Sequence, residues 1–119
     1  MKTDRLEEIR KEINTFCEDR DWSQFHDPKN MAISLNLEAS EVLELFQWTK
    51  DNELKDGKKE HLSDELADVL YWVIKMYDHY DIDIMESFKN KMEKNSKNYP
   101  VEKFKGRSGK YDEEVIDSV

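Results

Sequence analysis

Disulfides, membrane spans and basic stripes are all missing from this sequence, and each absence removes a class of function. A single cysteine, Cys17, excludes an internal disulfide and a cysteine-based metal site. No apolar run approaches the ~20 residues needed to span a bilayer. The opening residues, MKTDRLEEIRKE, are charged throughout and contain no signal-peptide core, so the expected compartment is the cytoplasm. The net charge of −9 argues against a nucleic-acid polymer as partner, because such binding needs clustered cations to neutralise phosphates. A smaller phosphate-bearing ligand stays compatible if a divalent cation mediates. Prolines and glycines are also scarce, two and three respectively.

What is present is helical periodicity. Apolar residues recur at three and four over long stretches, which predicts an all-α chain of four helices. The first runs from about residue 4 to 18, with Asp4 and Glu7 as a capping box and Leu6, Ile9, Ile13 and Phe16 as its stripe. Asp27 followed by Pro28 pairs an N-cap acid with a proline at the first helical position and starts a second helix, predicted to reach Trp48. The polar stretch KDNELKDGKK connects it to a third helix over about residues 60–80. Asp83 and Glu86 open a fourth, which Pro100 stops. Residues 1–99 thus form the predicted helical domain, and 100–119 a polar tail read as loop. At 119 residues, 37% hydrophobic and 39% charged, the chain buries a limited fraction of its surface, so self-association is expected.

Four carboxylates break the amphipathic pattern. On the second helix Met31, Leu35, Val42, Leu45 and Phe46 share one side, and Glu38 falls inside that stripe with Glu41 on its edge. On the third, Leu62, Leu66, Val69, Val73, Met76 and Tyr77 form the stripe, while Glu65, Asp68 and Trp72 occupy one flank. Acids in an apolar stripe must be paired, protonated or bound to a cation. A modest loop favours antiparallel neighbours, so the two pairs would face one another. Four like charges at close range need compensation, and hard divalent cations, Mg2+ with Mn2+ as substitute, suit an all-oxygen site. Acid pairs at this spacing also occur on solvated faces; two pairs on adjacent stripes are the more specific signal.

Lys91 and Asn95 share the side of the fourth helix that carries Ile84 and Phe88, a face predicted to be buried. A lysine there can snorkel, or it can supply charge to a polyphosphate while the amide supplies directed hydrogen bonds. Trp22 lies in a loop, where a core role is harder to assign; Trp48 ends the second helix and Trp72 lies on the acid flank. Aromatic faces of this kind stack on bases. His26, His61 and His79 are read as structural or solvated rather than catalytic, with His61 one turn before Glu65.

These motifs resemble the all-alpha nucleoside triphosphate pyrophosphohydrolases, the MazG-like superfamily, and within it the dCTP pyrophosphatase branch. The likeness rests on DWSQFHDPKNMAISLNLEASEVLELFQW, DELADVLYWV, the K-x-x-x-N-x-x-x-YP run ending at Pro100, and GKY near the tail. It implies a helical bundle that assembles as a homodimer or homotetramer. It also implies that Glu38, Glu41, Glu65 and Asp68 bind magnesium. Trp22 and Trp48 would flank the base of a nucleoside triphosphate, with Lys91, Asn95 and Tyr99 facing phosphates or sugar. Two departures bear on base preference: Ile13 stands where dCTP-cleaving relatives place a histidine, and Trp72 where they carry a tyrosine.

The expected chemistry is hydrolysis of the α–β phosphoanhydride, with Glu38 as the general base and the tail cations Lys103, Lys105, Arg107 and Lys110 folding over phosphate or staying solvated. Two alternatives are weaker. A di-iron bundle uses Glu-x-x-His ligands, and no histidine here has a glutamate three residues before it. A non-catalytic interaction module draws on Ile33, Leu37 and Leu43, which extend apolar character beyond the main stripe of the second helix and are read as an oligomer surface.

Overall fold

A computed structural model describes residues 4–110. Its elements are α1 (Arg5–Asp19), α2 (Pro28–Glu44), α3 (Lys59–His79), α4 (Ile84–Asn98) and a one-turn α5 (Val101–Phe104), with a 3-10 turn at Ser23–Phe25. No strand occurs among the described residues, and none of their helices is long and apolar enough to cross a membrane. The all-α class expected from periodicity therefore holds, with four helices of 15 residues or more.

The starts of three helices follow the predicted caps. Asp4 accepts from the Leu6 and Glu7 amides, Asp27 from the Asn30 amide ahead of Pro28, and Asp83 from the Glu86 amide. Each satisfies amides that have no partner inside the helix. The ends of α1 and α3 share one device. After α1 the amides of Asp21 and Trp22 bond back to the carbonyls of Glu18 and Cys17, and after α3 those of Asp81 and Ile82 bond to Asp78 and Tyr77. This is the Schellman pattern. It requires a left-handed residue, supplied by Asp21 at φ 53° and Asp81 at φ 52° rather than by glycine.

Two expectations about element ends need correction. α2 stops at Glu44 and not at Trp48. The chain tightens there: the Leu45 and Phe46 amides bond three residues back, and the Leu45 carbonyl accepts from Lys55 of the following loop, so the α ladder cannot continue. Trp48 is left 79% exposed. The tail is not all loop either, because Pro100 caps α5 with an extended backbone. Residues 111–119 of that tail lie outside the described residues.

The described residues fall in two compact units divided between Ile82 and Asp83. In the first, α2 and α3 share the most extensive contact, followed by α1 with α3. Its core is small: Ile13, Cys17, Met31, Leu45 and Ile74 are buried, and a fully buried Met or Ile contributes roughly 1.5–3 kcal/mol. Polar contacts tie α1 to α3. Arg10 bonds Glu7 on its own helix and reaches Asp78 at 3.0 Å, Asn14 donates to the other Asp78 oxygen at 3.2 Å, and Cys17 and Tyr71 share a hydrogen bond of 2.9 Å. Burial pushes the Tyr71 hydroxyl up, and its bond to Cys17 adds to the shift.

Two predicted stripes are less covered than expected. Leu66 is 50% exposed on α3 and Phe88 62% exposed on α4. In the second unit α4 has no buried residue; Lys91 is exposed and Asn95 half-buried, so the face predicted to be buried is open. An apolar stripe states which residues share a side, and not what covers that side.

A candidate metal centre between two helices

The α2–α3 contact brings the four acids together. Carboxylate oxygens of Glu38, Glu65 and Asp68 lie within 4.8 Å of one another. Glu41, one turn beyond Glu38, is near enough to both Glu38 and Glu65 to raise their pKa values. The spacing explains the gathering: residues three apart share a helix edge, and two such edges face each other across the seam. Glu38 and Glu65 are half-buried, whereas Glu41 and Asp68 are exposed. The site is therefore enclosed on one side and open on the other.

Its electrostatics are strained. Burial, then the bond shared with Glu41, then the charges of Glu41, Asp68 and Glu65 push the Glu38 carboxyl up to about 7. Glu65 is also raised, first by the hydrogen bond with Glu41 and then by burial, with His61 opposing. His61 Nε2 sits 3.1 Å from Glu65 Oε1, so this histidine does touch the site. No lysine or arginine pairs with the four acids among the described residues.

Two buried oxygens, Glu38 Oε2 and Glu65 Oε2, have no hydrogen-bond partner. Leaving a buried acceptor unsatisfied costs about 1–3 kcal/mol, more when charged, so such atoms mark a site for something that binds oxygen. A hard divalent ion fits. Such an ion takes oxygen ligands, and three carboxylates already gathered within 4.8 Å of one another would supply them.

Beside the acids runs a row of aromatic rings. Trp22 meets Phe16 edge to face at 5.5 Å, Phe16 meets Tyr71 at 6.4 Å, Tyr71 meets Trp72 at 4.9 Å, and Trp72 meets His26 at 5.2 Å. Trp22 and Trp72, both singled out in the sequence, thus belong to one row, and Trp48 does not join it. In the second unit Tyr99 packs against Phe104 with ring centroids 4.9 Å apart, and the Asn95 amide contacts the Met92 sulfur at 3.9 Å.

Sequence reasoning missed two polar groups. Lys75 is only 8% exposed, and His26 Nδ1 is buried without a partner. Burial lowers the His26 pKa, and the charge of Lys75 lowers it further. The DP cap signal gave the position of His26 but not the enclosure of its ring.

Comparisons with known proteins agree on one group. Residues 33–113 match the MazG-like family. The chain is 35% identical to dCTP pyrophosphatase 1 of Mus musculus over 111 residues, covering 89% of this chain and 65% of the mouse protein. It is 34% identical to dCTP pyrophosphatase 1 of Homo sapiens over 113 residues, covering 91% of this chain and 66% of the human one. The chain thus spans just under two thirds of the length of these relatives. A crystal structure of a pyrophosphatase from Archaeoglobus fulgidus DSM 4304 superposes with a TM-score of 0.78 at 36% identity, over 84% of this chain and 96% of that one.

Proposed function

The chain belongs to the MazG-like family, and from that premise we propose that it is a nucleoside triphosphate pyrophosphohydrolase, releasing a monophosphate and pyrophosphate. The observation that carries this reading is the α2–α3 carboxylate cluster with its two orphaned buried oxygens. The relatives' names, dCTP pyrophosphatase 1, make dCTP or a modified dCTP the first substrate to try.

Glu38, Glu65 and Asp68, with Glu41 alongside, would hold Mg2+. When bound, the ion supplies neutralisation of triphosphate charge and polarisation of a phosphorus–oxygen bond. The chain's own groups do the rest. Water adds to phosphorus, the bridging bond of the α–β anhydride breaks, and pyrophosphate leaves. The proton released from water passes to a carboxylate; Glu38, the acid inside the apolar stripe, is our choice. Trp22 and Trp72, at two positions of the aromatic row, and the exposed Trp48 are the rings assigned to the base. Lys91, Asn95 and Tyr99 are assigned to phosphates and sugar by the family likeness alone. Residues 1–99 would form the catalytic domain, with the tail cations Lys103, Lys105, Arg107 and Lys110 near a left-handed Gly106 at φ 80° as a phosphate-contacting flap. The exposed Ile33, Leu37 and Leu43 suit a homodimer or homotetramer.

The test is direct. Purified protein with Mg2+ and each canonical dNTP should yield the monophosphate and pyrophosphate in equal amounts. Release of orthophosphate, or nucleotide binding without turnover, would replace this reading with a different phosphatase or a non-catalytic module.

A further inference from the structure

One hydrogen bond at the edge of the acid cluster has no part in the chemistry above. His61 Nε2 stands 3.1 Å from Glu65 Oε1. The two residues lie one turn apart on α3. A helical side chain leans back over the turn N-terminal to it, so Glu65 reaches toward the His61 ring. The partners differ in exposure: the His61 side chain is 52% exposed and that of Glu65 12%. The imidazole is thus the outer partner of a nearly covered carboxylate. The direction of the bond follows from the acceptor. An ionised carboxylate has acceptor oxygens only, so the ring nitrogen carries the hydrogen and donates.

That bond gives the two Glu65 oxygens different roles. Oε1 is held by His61, whereas Oε2 is buried without a partner. The terminal torsion of a glutamate is broad, so a carboxylate with neither oxygen fixed can turn its plane. Held through Oε1, it keeps Oε2 as the oxygen on offer. The His61 ring itself is outside the gathered set, because the ligand atoms within 4.8 Å of one another belong to Glu38, Glu65 and Asp68. It stands behind a ligand rather than among the ligands. Ligating carboxylates are themselves hydrogen-bonded, and losing such a partner costs about 10- to 100-fold in metal affinity.

We propose that His61 is a positioning residue of the metal centre: its Nε2–H fixes the Glu65 carboxylate through Oε1, so that Oε2 is presented to a divalent cation. The inference rests on the reading of Glu38, Glu41, Glu65 and Asp68 as metal ligands given above. In this role His61 touches neither the nucleotide nor the reacting atoms. It acts on affinity for the ion, and the rate with the ion saturating is left to the acids.

The experiment measures Mn2+ binding to the whole chain without nucleotide, by calorimetric titration, in the wild type, His61→Phe and His61→Gln. Phenylalanine keeps a flat ring and removes the donor, whereas glutamine restores an N–H near the Nε2 position. His61→Phe should weaken Mn2+ binding by about 10- to 100-fold, and His61→Gln should recover most of the loss. His61→Ala takes the place of His61→Phe should the latter not fold. Pulsed EPR of bound Mn2+ should show no directly coordinated nitrogen in the wild type. Turnover gives a second signature. With the preferred triphosphate, His61→Phe should need more Mg2+ for half its maximal rate, while the rate at saturating Mg2+ stays close to that of the wild type. Equal Mn2+ affinity in the wild type and His61→Phe overturns the proposal, as does a loss that His61→Gln does not recover. A nitrogen bound to Mn2+ overturns it too, by making His61 a ligand. A wild-type protein that binds no Mn2+ sinks the metal reading itself, whereas the other adverse results leave that reading standing.

Discussion

α3 carries acids in its first half and near its C-terminus, and the two regions treat them in opposite ways. Asp78, near the C-terminus, is fully provided for: Arg10 and Asn14 of α1 each take one of its oxygens. Glu65 and Asp68, near the middle, face Glu38 and Glu41 with no lysine or arginine paired to them among the described residues and only His61 beside Glu65, and Glu38 and Glu65 each retain a buried oxygen without a partner. The first arrangement costs nothing that its partners do not offset. The second opposes folding, because like charges raise one another's pKa values. A fold that neutralises one acid so thoroughly and leaves four others uncompensated separates an acid kept for structure from acids kept for a ligand.

The sharpest way to break this contrast is to remove charge from the uncompensated region. Asp68→Ala or Glu41→Ala should lower turnover of the preferred triphosphate by about 1,000-fold or more, the order lost when an electrostatic element of a transition state is removed. Circular dichroism should show unchanged helical content, and the midpoint of metal-free thermal unfolding should hold or rise. Full activity in either variant would refute the metal centre.

A smaller effect is expected from metal and pH on the intact protein. The Glu38 carboxyl, at about 7 in the fold against an ordinary 4.5, binds more proton folded than unfolded between those values. Stability from this group is therefore present below about 4.5 and lost as pH rises toward 7, and the raised Glu65 acts in the same direction. Metal-free thermal midpoints should fall across that window, and Glu38→Gln should flatten the fall. Mg2+ at 100 times its dissociation constant should restore about 2.7 kcal/mol, several degrees of midpoint for a chain of this size. A midpoint indifferent to both Mg2+ and EDTA at pH 8 would contradict the assignment.

The same contrast explains what could be read in advance. The four acids were visible because period 3.6 has no use for a carboxylate in an apolar stripe, and the caps at Asp4, Asp27 and Asp83 were visible because they act within one turn. The end of α2 was hidden: Leu45 and Phe46 continue the apolar period, and only the distant Lys55 amide, taking the Leu45 carbonyl, shows why the helix stops. Lys75 was hidden for a related reason. It follows Ile74 on a helix of mixed character and reads as surface until packing encloses it. For α4, periodicity named a common side but not what covers it, and Phe88 is exposed.

At the compensated end, Arg10→Met should lower stability only modestly, as expected for a partly exposed ion pair, and should leave turnover within about twofold. Denaturant titration alongside the pyrophosphate assay measures both. Comparable losses of stability and activity would mean that the two regions of α3 are coupled and that the contrast drawn between them is too simple.

The smallest effect is expected where α3 ends. Asp81 closes the Schellman motif at φ 52°, a conformation that aspartate tolerates but that penalises any side chain with a Cβ. Glycine removes the penalty and gives back part of the gain, because it also has more freedom to lose from the unfolded chain. Asp81→Gly should therefore raise stability by about 0.5–1 kcal/mol, with the Ile82 amide still bonded to the Tyr77 carbonyl. Asp81→Ala keeps the penalty and removes the short polar side chain that eases it, so it should be destabilising. If alanine and glycine prove equal in chemical denaturation, the left-handed backbone is not what limits stability at this end. The compensated region would then owe its stability to the Arg10–Asp78–Asn14 contacts alone.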